Sequence, residues 1–342
     1  EKGRTFYTSN AGLKDLKIEI HNYLERRCNI CYDPDHEIMV TVGGSEAIDA
    51  AMRAMLNPGD EVLIPQPSYV SYVPCAVLAD GVPVVIELEE KDHFKLTPEK
   101  LLEKITDKTK ILVLPFPNNP TGAIMERHEL EEIAKIVVEK DIFVISDEIY
   151  SELTYTDNHV TIASFPGMKE RTVLINGFSK SYAMTGWRIG FMAAPRELAK
   201  ACTKLQSQYT SNPSSIAQKA AEAAYTGPQD CVTEMNKAFE RRRDLVVELA
   251  RTIPGWEVNV PMGAFYLLPR VTGCLGTTAP DGRRIETSGD LALYLLEKAA
   301  VATVDGAAFA APGYLRLSYA TSDDNLREAF RRIGEAVAAL KR

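Results

Sequence analysis

Along the first two thirds of the chain, short runs that are apolar at consecutive positions recur, separated by stretches with helical spacing. EIMVTV (37–42) is followed from Ser45 by Ala47, Ala50, Ala51 and Met55 at helical spacing, closed by Asn57-Pro58-Gly59. EVLI (61–64) leads into a helix, and VPVVI (82–86) into Thr97-Pro98, an N-cap followed by proline at the first helical position. ILVL (111–114), IFVIS (142–146), TVLIN (172–176) and IGFMAA (189–194) continue the pattern. A strand covered on both faces loses the polar–apolar alternation, so these runs predict a mostly parallel sheet flanked by helices. Three helical stretches follow at 196–209, 213–226 and 230–251. The last third differs, with short strands in EVNV, AFYLL, VATV and YLRLSY and helices over 288–300 and 323–341. The expected fold class is therefore α/β. Residues 13–245 would form a large domain, 246–342 a smaller C-terminal α/β domain, and 1–12 an N-terminal arm. Because the chain starts at Glu rather than Met, that arm is expected to be shortened.

With 342 residues there is room for one large domain and a smaller companion. A net charge of −8 and a pI near 5.4 supply no basic field to gather phosphates, which opposes nucleic-acid binding. No apolar run approaches the roughly 18 residues of a membrane helix, and EKGRTFYTSN lacks a signal peptide's apolar core. No membrane association and a cytoplasmic location are expected. Cys28 and Cys31 form a single C-x-x-C in a predicted helix, where they would share a face; without a second pair they are expected to be inert. The five histidines show no ligand spacing, so no metal is assigned. Arg241-Arg242-Arg243 is expected to be a solvated helix face.

In open α/β sheets ligands sit beyond the carboxyl ends of the strands, so the residues there matter most. After EIMVTV, Gly43-Gly44-Ser45-Glu46 runs into a helix N-terminus, whose free N–H groups and dipole suit a phosphate or only a tight turn. After ILVL, the prolines of PFPNNPTG stiffen a loop that presents Asn118 and Asn119. After IFVIS comes Asp147, a carboxylate that needs a partner if buried, or a helix cap. After TVLIN comes Gly177-Phe178-Ser179-Lys180. Desolvation and a neighbouring cation such as Arg188 would push a lysine here toward its neutral, nucleophilic form. Arg316 sits in YLRLSYA, on one strand face with Ser318.

Taken in order, GFSKSYAMTGWRIG, PNNPTG, SDEIY, TVGGSEA and RLSYATS resemble the landmarks of the fold-type I, class I/II aminotransferases, from about Arg4 to the C-terminus. The resemblance implies a pyridoxal 5'-phosphate enzyme with amino-acid and 2-oxo-acid substrates, aspartate or an aromatic amino acid against 2-oxoglutarate. It implies that Lys180 forms the Schiff base and shuttles the proton, and that Asp147 pairs with the pyridinium N–H. Asn119 and Tyr150 would bond the ring's 3′ oxygen, and Tyr69 would stack on the ring. The phosphate would rest on Gly44, Ser45, Glu46, Ser179 and Arg188, with Tyr7 reaching it from the neighbouring subunit of a homodimer. Arg316 would grip the substrate carboxylate, beside Asn119.

Many relatives have serine at Gly177, so one hydroxyl contact is expected to be missing. The C-terminal third is most similar to prephenate-accepting aspartate aminotransferases, whereas GGSEAID is more similar to N-acetyl-diaminopimelate and aromatic aminotransferases. Glu46 is expected to hinder a second substrate carboxylate, and Asp305 to stand near the mouth of the site in place of the usual proline. A C–S β-lyase on the same fold is the alternative activity. A dehydrogenase is disfavoured, since no G-x-G-x-x-G follows a strand.

Overall fold

The computed structural model describes residues 6–156 and 159–342; residues 1–5 of the expected arm lie outside them. In chain order the first half comprises α1 (Lys14–Cys28), β1 (Ile38–Thr41), α2 (Gly43–Met55), β2 (Glu61–Gln66), α3 (Tyr72–Leu78), β3 (Val82–Glu87), α4 (Pro98–Lys104), β4 (Thr109–Leu114), α5 (Arg127–Glu139) and β5 (Phe143–Asp147). Next come β6 (Thr172–Gly177), β7 (Gly190–Ala193), α6 (Arg196–Tyr209), α7 (Ser215–Thr226) and α8 (Asp230–Arg251). Seven strands form one sheet in the order β1-β7-β6-β5-β4-β2-β3. Only β7 runs against the rest, pairing antiparallel with both β1 and β6.

Every strand of this sheet except the edge strand β3 buries both faces. Met39, Ile145, Val173, Ile175 and Met192 pack with the alanines of α2 and with α6, whereas Ile38, Val40, Leu174 and Phe191 pack with α1 and α7. Having two apolar layers to meet is what removes the alternation from the sequence.

The reversed β7 matters for the site. Gly190, its first residue, lies opposite both Thr41 and Gly177 in register, so Arg188 just before it arrives at the carboxyl ends of β1 and β6. That edge also receives the ends of β4 and β5. There is no room for side chains in between: a Cβ on Gly177 would stand 2.9 Å from Gly190 Cα.

The C-terminal part holds β8 (Tyr266–Leu267), β9 (Thr277–Thr278), β10 (Arg284–Ile285), α9 (Ser288–Tyr294), β11 (Val304–Asp305), β12 (Leu315–Ser318) and α10 (Asp323–Ala338). Strands β11, β12 and β8 make a small antiparallel sheet, packed with α8 and α10 over Phe239, Leu267, Leu315 and Phe330. The long α8 crosses residues 245 and 246 without a break.

Several expectations need correction. EVNV is not a strand: its backbone makes only an isolated bridge, Glu257 to Arg270. The short hairpin of β9 and β10 was not anticipated, since two-residue strands leave no periodicity to read. Cys28 ends α1, and Asn29 follows in a left-handed cap, so Cys31 lies outside the helix and the two cysteines share no helical face. Arg243 is buried rather than solvated. It donates to Pro261 O at 3.0 Å and lies 4.9 Å from the Tyr155 ring, while Arg241 and Arg242 pair with Asp323. No helix among the described residues is long and apolar enough to cross a membrane.

Candidate active site

At the shared edge of β1, β4, β5 and β6 lies a cavity of about 290 Å³, closed on one side by β8 and β12 of the C-terminal sheet. It brings together Gly44, Ser45, Tyr69, Asn119, Asp147, Tyr150, Ser179, Lys180, Arg188 and Arg316, every one expected from the sequence to meet here. Tyr7 is 93% exposed and does not line the cavity.

Helix α2 starts without a side-chain cap, which leaves the N–H groups of its first turn as free donors facing the cavity. Gly43 turns the chain at φ +76, where a Cβ would come within 2.6 Å of Arg188 Nη2. Glycine is therefore what lets the guanidinium lie against this helix end. Arg188 itself donates to Thr185 O at 3.0 Å. Glu46 does not face the cavity. Its carboxylate accepts from Val42 N at 2.5 Å and from the Thr210 hydroxyl, so it fastens the helix start instead of lining the cavity. Only its backbone could serve the phosphate.

The two asparagines separate in role. Asn118 is fully buried and braces its own loop, accepting from Thr121 and donating to Pro67 O at 3.3 Å. Asn119 faces the cavity, and its Oδ1 accepts from Arg316 Nη1 at 2.9 Å. Arg316 is held between the rings of Tyr266 and Phe309, each 4.6 Å from the guanidinium carbon, and its Nε is buried without a partner. Asp305 stands away from the cavity lining. It accepts from Ser288 Oγ at 2.7 Å and from Ala307 N at 3.1 Å, capping the turn that carries Phe309.

Asp147 is buried, with its Oδ2 accepting from the Tyr72 hydroxyl at 2.7 Å and its Oδ1 from Ile149 N at 3.3 Å. Burial pushes its acidity weaker, against the pull of the Tyr72 bond. Lys180 Nζ lies 5.7 Å from the ring centres of both Tyr150 and Phe265. Desolvation lowers its proton affinity first, and Arg188 and Arg316 lower it further, with Asp147 opposing. Tyr72, Thr185 and Tyr266 were not singled out from the sequence, although all three line the cavity. Tyr72 stands three residues after Tyr69 at the start of α3, which was a usable signal; Tyr266, bonded to the Tyr150 hydroxyl at 2.9 Å, comes from far along the chain and carried none.

Three cations thus face one cavity with a single carboxylate, and among the described residues none of the three forms a salt bridge. An uncapped helix end beside an arginine fits a phosphate, and a buried carboxylate fits a protonated ring nitrogen. A second arginine with a free Nε fits a substrate carboxylate, and a lysine desolvated toward neutrality fits a carbonyl carbon. Pyridoxal phosphate fits this donor set, and the fold and site define a pyridoxal-phosphate enzyme.

The chain belongs to the aminotransferase class I and II family, whose sequence model matches residues 1–333. It is 45% identical over 334 residues to an aspartate aminotransferase of Geobacillus stearothermophilus, covering 97% of this chain and 84% of that protein. The solved aspartate aminotransferase of Rhizobium meliloti superposes with a TM-score of 0.95 at 42% identity, covering 99% of this chain and 86% of that one. An aromatic aminotransferase from Pyrococcus horikoshii OT3 gives 0.92 at 42% identity, covering 98% and 89%. This chain is an aminotransferase that uses pyridoxal phosphate, acting on an amino acid and a 2-oxo acid.

Proposed function

We propose that the enzyme transfers the amino group of aspartate or an aromatic amino acid to a 2-oxo acid, with glutamate and 2-oxoglutarate as one pair. The observation that carries this reading is the convergence of Lys180, Arg188 and Arg316 around Asp147 in one cavity. When bound, pyridoxal phosphate supplies a carbonyl carbon that links to an amine and a ring that accepts the electron pair of the broken Cα–H bond. Arg188, Ser179, Ser45 and the first turn of α2 would hold the phosphate. Asp147 would hold the proton on the ring nitrogen, Asn119 and Tyr150 would bond the 3′ oxygen, and Tyr69 would cover the ring. Arg316 binds the substrate carboxylate in a bidentate pair, which sets the Cα–H bond toward Lys180. Lys180 Nζ would be the base that takes the substrate's Cα proton and the acid that gives it back.

Two further assignments belong to this reading. The enzyme works as a homodimer in which Tyr7 of one protomer completes the phosphate site of the other. Its large domain extends to residue 245, with the small domain beyond.

Borohydride reduction of the yellow holoenzyme should fix the cofactor on Lys180; label on another lysine would sink the site assignment. A donor panel of aspartate, tyrosine, phenylalanine, alanine and N-acetyl-diaminopimelate, with 2-oxoglutarate as acceptor, ranks the substrates. Release of pyruvate from cystathionine without any acceptor would identify a C–S β-lyase instead.

A further inference from the structure

Directly after Asp147 the chain carries a second carboxylate, Glu148, which is 1% exposed. It is not part of the cavity lining. Its Oε1 accepts from Ser146 Oγ at 2.8 Å and from Thr161 Oγ1 at 2.6 Å, and its Oε2 accepts from His159 Nε2 at 2.8 Å. Its own N–H bonds Ile175 O on β6 at 2.8 Å. Glu148 therefore ties three segments together at the end of β5: the strand itself, β6, and the 159–161 stretch.

A carboxylate this deeply buried needs compensation. Its titratable neighbours are Asp147, Cys28, Tyr32 and His159. The Cys28 thiol and the Tyr32 phenol are both pushed up, by burial first and by Glu148 next, so both stay neutral at pH 7. Asp147 carries charge of the same sign. Among the described residues, His159 is the only group paired with Glu148 that can bring positive charge to it. The His159 side chain is 13% exposed and lines a separate cavity of about 1170 Å³, away from the site. Glu148 thus lies between the site carboxylate and a histidine that reaches the opposite cavity.

We propose that His159 is a positioning residue, which through Glu148 fixes the strand end carrying Asp147 and Tyr150 and offsets the negative charge that Asp147 feels. This rests on the reading that Asp147 holds the ring nitrogen. Without His159, Glu148 loses the only side-chain donor that its Oε2 has among the described residues, and the strand end relaxes toward whatever donors remain. A shift of a fraction of an ångström at Asp147 is enough to weaken a contact that depends on alignment. A less well compensated Glu148 also favours every protonated group nearby, Lys180 included.

The test compares holoenzymes of His159→Ala, His159→Gln and Glu148→Gln with the parent. The readouts are the cofactor dissociation constant, kcat and KM, and the pH midpoint of the bound cofactor's visible absorption. His159→Ala should weaken cofactor binding about tenfold, as expected for loss of a hydrogen bond to a buried carboxylate. It should also move the midpoint upward and lower kcat more than it changes KM. His159→Gln, whose amide can donate to the same oxygen, should recover most of the affinity. Glu148→Gln removes the charge at almost constant shape and should move the midpoint downward. Opposite shifts in the two variants are a signature that loss of packing alone does not produce. Unchanged midpoints and cofactor affinity, with only the melting temperature lowered, would overturn the proposal. If His159→Ala does not fold, an unmoved midpoint in Glu148→Gln overturns it alone. Failure of the parent protein to take up cofactor on Lys180 would sink the site reading instead.

Discussion

Asp147 shows how a functional residue can work against the fold that holds it. Burial raises its pKa above the ordinary 3.8, and its donors in the free protein are Tyr72 and Ile149, both neutral. Above the raised value the carboxylate is charged in both the folded and unfolded chains, and the folded state bears the full desolvation penalty. Below 3.8 it is protonated in both, and the penalty vanishes. Asp147→Asn should therefore raise the melting temperature of the cofactor-free protein at neutral pH, and the gain should fade as pH falls through the raised value toward 3.8. The same variant should bind pyridoxal phosphate poorly, because an amide cannot hold the ring proton as a carboxylate does. Melting curves between pH 3 and 8, with and without cofactor, check both halves. Lys180→Ala should abolish turnover, by at least about 10³-fold, while leaving the fold intact. Arg316→Ala should cost about 10²-fold in kcat/KM, as removal of a bidentate charge-assisted contact does, and an added guanidinium compound should restore part of it.

At the scale of elements, the tightest constraint is the meeting of β6 and β7. The sequence comparison with serine-bearing relatives at Gly177 predicts a missing hydroxyl contact, but the packing shows why the position is narrow here. A Cβ would lie 2.9 Å from Gly190 Cα and 3.1 Å from both Ile189 O and the Ile149 methyl. Gly177→Ser should destabilise the protein by roughly 1–3 kcal/mol, as overpacking of a close backbone contact does, and should not improve cofactor affinity. Denaturant titration and cofactor binding measure the two. The large sheet was legible in the sequence because all its runs but edge strand β3 are buried on two faces, and they are bounded by caps or turns, as at Thr97-Pro98. The C-terminal part was less so. Its strands β8 to β11 are two residues each, too short for any period, and EVNV is held by a single bridge that only tertiary contact can create. Residues at strand ends were legible for the same reason as the strands. Tyr266 and the turn away of Glu46 were not, because they depend on which distant element, β12 or Thr210, packs against them.

For the molecule as a whole, the question is what sets the C-terminal sheet against the large one, since Arg316 comes from the first and its partners from the second. Inside the cavity the links are Arg316 to Asn119 and Tyr266 to Tyr150. Outside it, Glu90, just beyond β3, accepts from the Tyr314 hydroxyl at 2.9 Å and pairs with Arg270 at 3.4 Å. Tyr314 is two residues before Arg316, so the outer fastening and the substrate contact share one short stretch leading into β12. Loosening the outer one should let the arginine drift while the chemistry at Lys180 stays intact. Tyr314→Phe deletes a single hydroxyl bond worth about 0.5–1.5 kcal/mol, so KM for the amino acid should rise about two- to tenfold with kcat nearly unchanged. Glu90→Gln, which keeps an acceptor for the tyrosine but drops the ion pair, should have the smaller effect, because the Arg270 pair is partly solvated and screened. A rise in KM that disappears when the substrate carboxylate is removed from the comparison, as with an amine donor, would place the effect at Arg316. Equal losses with amine and amino acid would instead mean that the fastening supports the whole cavity and not its carboxylate end.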